Sequence, residues 1–123
     1  MKNEGKENII KMKSYNFALK IVKLGRFLIE TKKEFILSKQ IIRSGTSIGA
    51  NIEEADAGQS KKDFIAKLQI SLKESKETHY WIRLLKDSDY IDLKLAESLI
   101  KDINEIIYLL TKILKSSKEK MTT

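Results

Sequence analysis

The run LKLAESLIKDINEIIYLLTKIL, residues 93–114, decides the fold. Within it Leu99, Ile103, Ile106, Leu110 and Ile113 follow one another at spacings of four, three, four and three. That alternation lays one apolar stripe along an α-helix, the pattern of helices packed nearly antiparallel or parallel in bundles. Asp92 stands immediately ahead as the expected N-cap, and Asp87-Ser88-Asp89-Tyr90-Ile91-Asp92 is the break before it. The Asp spacing of that break invites a calcium-loop reading. Its sixth position is Asp92 rather than Gly and its twelfth is Ser98 rather than Glu, so it reads as a turn followed by a cap.

Working outward, the same period recurs three times. Ser60-Lys61-Lys62-Asp63 resembles a capping box that opens a helix running to about Lys86. Phe64, Leu68, Ser71 or Leu72, Ser75, His79, Ile82 and Leu85 mark its inward side. A second helix is predicted from Leu37 to Ala55, with the stripe Ile41, Gly45, Ile48, Ile52 and Ala55. The first helix is predicted from Ser14 to Thr31, with Phe17, Ile21, Leu24 and Leu28 inward. The reading is an all-α, antiparallel up-and-down four-helix bundle over residues 14–114. A flexible N-terminal segment (1–13) and a frayed C-terminal tail (115–123) are expected to flank it.

Composition agrees. The chain has 123 residues, no proline, no cysteine, 41% apolar and 33% charged residues, which suits one helical domain with a solvated surface. Without cysteine there are no disulfides or thiolate metal sites. The apolar runs are too short and too interrupted to span a bilayer, and the N-terminus lacks the apolar core of a signal peptide. The expectation is a cytoplasmic protein without a membrane partner. Net charge is +7, a bias toward polyanions. Residues 11–34 hold seven Lys/Arg against two Glu, whereas Glu53, Glu54 and Asp56 make the end of the second helix locally acidic.

Catalytic signals are weak. His79 is the one histidine and has no ligand partner at helical spacing, and neither a nucleophile elbow nor a triad order is present. No enzyme activity, metal or cofactor is expected. Gly45 and Gly49 sit at i, i+4 within a helix, where each costs about 1 kcal/mol against Ala. Close approach of a neighbouring helix is the expected compensation, because the Gly-Lys-Ser/Thr of a phosphate-cradling loop does not follow.

Polar residues inside the apolar pattern form two strips. Arg43, Ser47, Asn51 and Glu54 lie along one face of the second helix, and Glu74, Glu77 and Trp81 along the third. Facing strips would let Arg43 and Asn51 bond to Glu74 and Glu77 and fix helix register; alternatively Arg43 with Lys39 contacts phosphate. Tyr80 and Trp81 beside Arg83 and Lys86 could stack on unpaired bases, or Trp81 could fill the bundle end or a subunit interface.

Three runs carry a family resemblance: IRSGTSIGANIEEA at 42–55, SKKDFIAK at 60–67 and KESKETHYWIRLL at 73–85. In order and spacing, residues 14–114 resemble the bacterial four-helix-bundle family whose founding members are encoded within intervening sequences of 23S rRNA genes. The accessory variability protein of diversity-generating retroelements is similar. The resemblance implies a homopentameric barrel with a basic surface and no enzymatic activity, and for the accessory branch binding to a reverse transcriptase and nucleic acid. Members often carry basic residues at the end of the second helix and in the loop after it, where this chain has Glu53, Glu54, Asp56 and Gln59.

The functional expectation is a non-enzymatic oligomeric protein that binds RNA or DNA through phosphates. Its candidate contacts are Lys20, Lys23, Arg26, Lys32, Lys39, Arg43, Arg83 and Lys86. The alternative is an oligomeric scaffold that recruits a protein partner such as a nucleic-acid enzyme.

Overall fold

A computed structural model describes residues 4–122. It contains four α-helices: α1 (Glu4–Glu30), α2 (Leu37–Asp56), α3 (Lys61–Asp87) and α4 (Leu93–Thr122). Short connections force antiparallel neighbours, and each helix packs on the two beside it: α1 on α2 and α4, α3 on α2 and α4. No diagonal pair of helices comes close. This is the up-and-down four-helix bundle expected from the four-three stripes.

The stripes fill the core. Phe17, Ile21, Leu24 and Leu28 from α1 meet Ile41, Ile48 and Ile52 from α2. Ile82 and Leu85 from α3 meet Leu99, Ile103, Ile106, Leu110 and Ile113 from α4. On α3 the buried face is rotated slightly from the expected one. Ile65 and Thr78 are buried, while Phe64 and His79 are half-buried at the edge.

Two boundaries differ from expectation. α1 begins at Glu4, ten residues before the predicted Ser14. Its added turns have packing to gain: Ile10 is buried in the core, Ser14 is buried with its hydroxyl donating to the Lys11 carbonyl, and Lys11 pairs with Asp56. α4 continues past Leu114 to Thr122, with Ser117 buried. Residues 4–13 and 115–122 are therefore helix rather than flexible segment and frayed tail; the first three residues and the last lie outside the described residues.

The starts of α2, α3 and α4 each have an identifiable device. The Ser60 hydroxyl accepts from the Asp63 N–H at 3.1 Å and the Asp92 carboxylate from the Leu95 N–H at 2.8 Å. α2 uses Glu34 instead. Its carboxylate accepts from the backbone N–H groups of Ile36, Leu37 and Ser38 at 3.2, 3.0 and 2.8 Å. Burial pushes this carboxyl up, but the three donors outweigh it and hold it below the usual glutamate range. Lys33, at φ 55°, takes the left-handed position that turns the chain out of α1.

The seams between helices are unlike one another. At α1–α2 the glycines admit close approach: a Cβ on Gly45 would lie 2.9 Å from both Ile21 Cγ atoms, and one on Gly49 would lie 3.4 Å from the Ser14 hydroxyl. Gly25 makes room for the Ile42 side chain in the same way. These contacts account for Gly45 as a packing residue; at Gly49 a Cβ would be in ordinary contact, so close approach does not require glycine there. At α2–α3 small hydroxyl residues replace glycine. Ser44, Ser71, Ser75 and Thr78 are fully buried. The Ser71 hydroxyl donates to the Ile48 carbonyl at 2.9 Å and Thr78 to the Ser44 hydroxyl at 2.9 Å. No buried side-chain donor or acceptor lacks a partner among the described residues. No helix of the described residues is long and apolar enough to cross a membrane.

Candidate functional site

The α1–α4 seam is the least closed of the four. The residues that line it recur at seven-residue spacing, which returns to nearly the same helix face. Along α1 they are Lys13, Lys20 and Phe27, and along α4 Lys101 and Tyr108; helical spacing puts Lys94 and Lys112 on the same α4 face without making them part of the lining. Three depressions follow this seam. One is lined by Ile9, Lys101, Tyr108 and Leu109, the next by Met12, Asn16 and Phe17, and the third by Lys23, Phe27, Leu95 and Ser98.

Two ion pairs bridge the floor: Lys13 to Glu105 at 2.7 Å and Lys20 to Asp102 at 2.6 Å. The Lys13 ammonium holds the Glu105 carboxyl below its usual range, with its charge adding to the hydrogen bond. Asp102 and Glu105 are the carboxylates lining these depressions, against Lys13, Lys20, Lys23 and Lys101. Lys94 and Lys112 lie on the same α4 face, with the exposed Glu97 between Lys94 and Lys101. Lys112 lies over the exposed Tyr108 ring at 5.5 Å. The result is a shallow cationic trough with apolar and aromatic walls, suited to a flexible anionic chain: lysines for phosphates, rings for bases.

The residues singled out in the sequence do not gather on one surface. Lys20 and Lys23 line the trough. Arg26 lies on the outer side of α1, and Lys32 lies over the Phe27 ring at 5.7 Å. Lys39 edges a depression with Ile29, Phe35 and Ile42 near the α2 N-terminus. Arg43 is held by Glu74 at 3.1 Å and by Glu77, an arrangement that satisfies its charge within the chain. Arg83 donates to His79 Nδ1 at 3.1 Å and lies over the Tyr80 ring. Burial and then the Arg83 charge push the His79 imidazole below its usual value. Lys86 pairs with Asp87 at 3.4 Å.

The facing polar strips meet in part. Arg43 bridges Glu74 and Glu77, and the Trp81 indole donates to Glu77 at 2.9 Å. Asn51 does not join them: its amide donates to the Ser47 carbonyl, and the Ser47 hydroxyl to the Arg43 carbonyl. Glu54 pairs with Lys67. This network rims the α2–α3 seam at half exposure, outside the buried hydroxyl pairs. Trp81 packs against the core from the side and meets Tyr80 edge-on at 5.1 Å, while Tyr80 itself stays exposed.

Sequence reading missed Lys94, Lys101, Tyr108 and Lys112. Their heptad spacing was present, but attention to the inward stripe of α4 hides the row beside it. A second unread stripe lies on α1, where Met12, Tyr15, Leu19, Val22 and Ile29 are exposed with Arg26 among them. These positions alternate by three and four like a core stripe, yet they face outward. Among the described residues no three His, Cys, Asp or Glu side chains gather as a metal site.

Comparison with known proteins agrees with this architecture. No curated protein matches the chain. It is similar to a protein of unknown function from the S23 ribosomal protein family of Bacteroides thetaiotaomicron VPI-5482, known from a crystal structure. The two share 54% sequence identity and a TM-score of 0.88, over 89% of this chain and 98% of that one. The family model for 23S rRNA-intervening sequence proteins matches residues 6–112, and the chain accordingly belongs to that family.

Proposed function

We propose that the protein is a non-catalytic, self-associating nucleic-acid-binding protein of the cytoplasm, and that the α1–α4 trough is its contact surface. The observation that carries this reading is the trough's lysine excess along seven-residue rows, interleaved with Phe27 and Tyr108. Phosphates would be held by point charges and bases by exposed rings, giving affinity with little sequence preference. Among the described residues no three His, Cys, Asp or Glu side chains gather as a metal site, and binding is the chemistry that the trough's charges and rings offer.

Self-association is supported by the outward stripe Met12, Tyr15, Leu19, Val22 and Ile29. An exposed stripe with core periodicity is a helix face that lacks its partner. A closed ring, a pentamer by the family resemblance, would cover the stripe and multiply the +7 charge of one chain.

Filter binding of single-stranded RNA and DNA across a salt series tests the reading. Affinity is expected to fall steeply between about 50 and 200 mM salt; no binding at the low end overturns it. The apolar depression of Ile9, Tyr108 and Leu109 favours a second reading, a scaffold that docks an amphipathic helix of a protein partner. Pull-down with and without nuclease separates the two, since a scaffold keeps its partner after nuclease treatment.

A further inference from the structure

The end of the bundle that carries the α1–α2 and α3–α4 connections combines an apolar surface with opposite charges on its two halves. Ile36 is 75% exposed and Phe35 and Leu93 are each 60% exposed. The apolar surface continues down two sides, through Phe27 and Leu95 on one and Ile29 and Ile42 on the other. On the α1–α2 half, Lys32, Lys33 and Lys39 are exposed, whereas Glu34 is turned into the α2 N-terminus by its three backbone bonds. The α3–α4 half presents Asp87, Asp89 and Asp92, all exposed. Asp87 pairs with Lys86 at 3.4 Å, Asp92 caps α4 through the Leu95 N–H, and Lys94 is exposed beside them. Asp89 is thus the carboxylate of this half that neither an ion pair nor a cap engages among the described residues. Lys33 and Asp89 sit at the left-handed corners of the two turns, at φ 55° and 65°. Among the described residues neither makes an ion pair.

A polyanion or an anionic lipid surface meeting this end would be repelled by the aspartates, and a polycation by the lysines. A surface carrying both signs side by side is complementary to itself after a half-turn. We infer that this end is an isologous docking surface for a second copy of the chain, placed end to end. The lysine half of one copy then lies on the aspartate half of the other, and Phe35 and Ile36 pack against the opposing Leu93. The contact is separate from the α1 stripe and does not rest on it.

Light scattering of the full chain over a range of concentrations, with helicity checked by circular dichroism, tests the inference. Lys33→Glu and Asp89→Lys should each halve the mass reached by the wild type. Combining them should restore that mass, because the charges are exchanged on both halves; Lys33 itself shows that lysine fits a left-handed corner in this chain. Ile36→Asp should halve the mass with no such rescue. Leu19→Glu addresses the α1 stripe separately and should leave a two-chain species. Single-charge variants that keep the wild-type mass, a combined variant that fails to recover it, or a wild type of one-chain mass throughout would overturn the inference.

Discussion

The α2–α3 seam and the α1–α4 seam join antiparallel neighbours in one bundle, but their side chains do different things. At α2–α3, Ser44, Ser71, Ser75 and Thr78 let the helices approach and then satisfy every hydroxyl within the seam. At α1–α4, long lysines and half-exposed apolar residues leave a trough closed by two ion pairs. Short, bonded side chains make a joint sensitive to any change of volume. Exposed lysines contribute little to stability and remain available to a ligand. The contrast sets a closed, hydroxyl-bonded seam against an open one edged by lysines.

The largest effect should come from crowding the closed seam. Ser71→Leu places a branched side chain where the serine hydroxyl reaches the Ile48 carbonyl, and should destabilise by about 3 kcal/mol. Urea unfolding measures it, and a loss below about 1 kcal/mol would show that α2–α3 is looser than described. The glycines sharpen the same point by sign. Gly45→Ala gains about 1 kcal/mol of helix propensity but drives a Cβ to within 2.9 Å of the branched Ile21 side chain. A net loss of about 1–2 kcal/mol is expected. Gly49→Ala meets Ser14 at an ordinary 3.4 Å, so the propensity gain should survive and raise the melting temperature.

Acid should loosen the start of α2 while leaving the hydroxyl seam intact. The Glu34 carboxyl titrates below its unfolded value, so its contribution is complete above the ordinary glutamate range near pH 4 and is lost as pH falls through the folded value. Stability profiles of wild type and Glu34→Gln should therefore converge at the acid end. Parallel profiles would remove the capping role. The smallest stability effects belong to the open seam. Lys101→Ala and Lys112→Ala should each shift stability by less than about 0.5 kcal/mol.

How much of this was legible in sequence follows from the same contrast. The four-three stripes, the caps Ser60 and Asp92, and the packing role of Gly45 are local or periodic signals, and each reappears in the structure; Gly49, expected to pack in the same way, has room for a Cβ. Ser44 and Thr78 were not recognised as core, because an isolated hydroxyl at an inward position looks like a surface residue until its partner on the next helix is known. Asn51 was assigned to Glu74 or Glu77, but an amide at helical spacing has a nearer acceptor in the Ser47 carbonyl. The charge count of the first helix did not include what its lysines meet on other helices. Lys11, Lys13 and Lys20 have carboxylate partners on other helices, which no single-helix charge count can register. The trough is assembled from two helices distant in sequence, so α4's share of it emerged only once α4 was placed beside α1.

Salt dependence of nucleic-acid binding by a Lys94→Ala, Lys101→Ala, Lys112→Ala variant tests the central claim most directly. These lysines are exposed, and among the described residues none forms an ion pair. Their removal should leave the melting temperature nearly unchanged. If the trough holds phosphates, affinity for a short single-stranded RNA should fall and the slope of log K against log salt should flatten by about two. A variant that binds with the wild-type affinity and slope would contradict the assignment of the α1–α4 face.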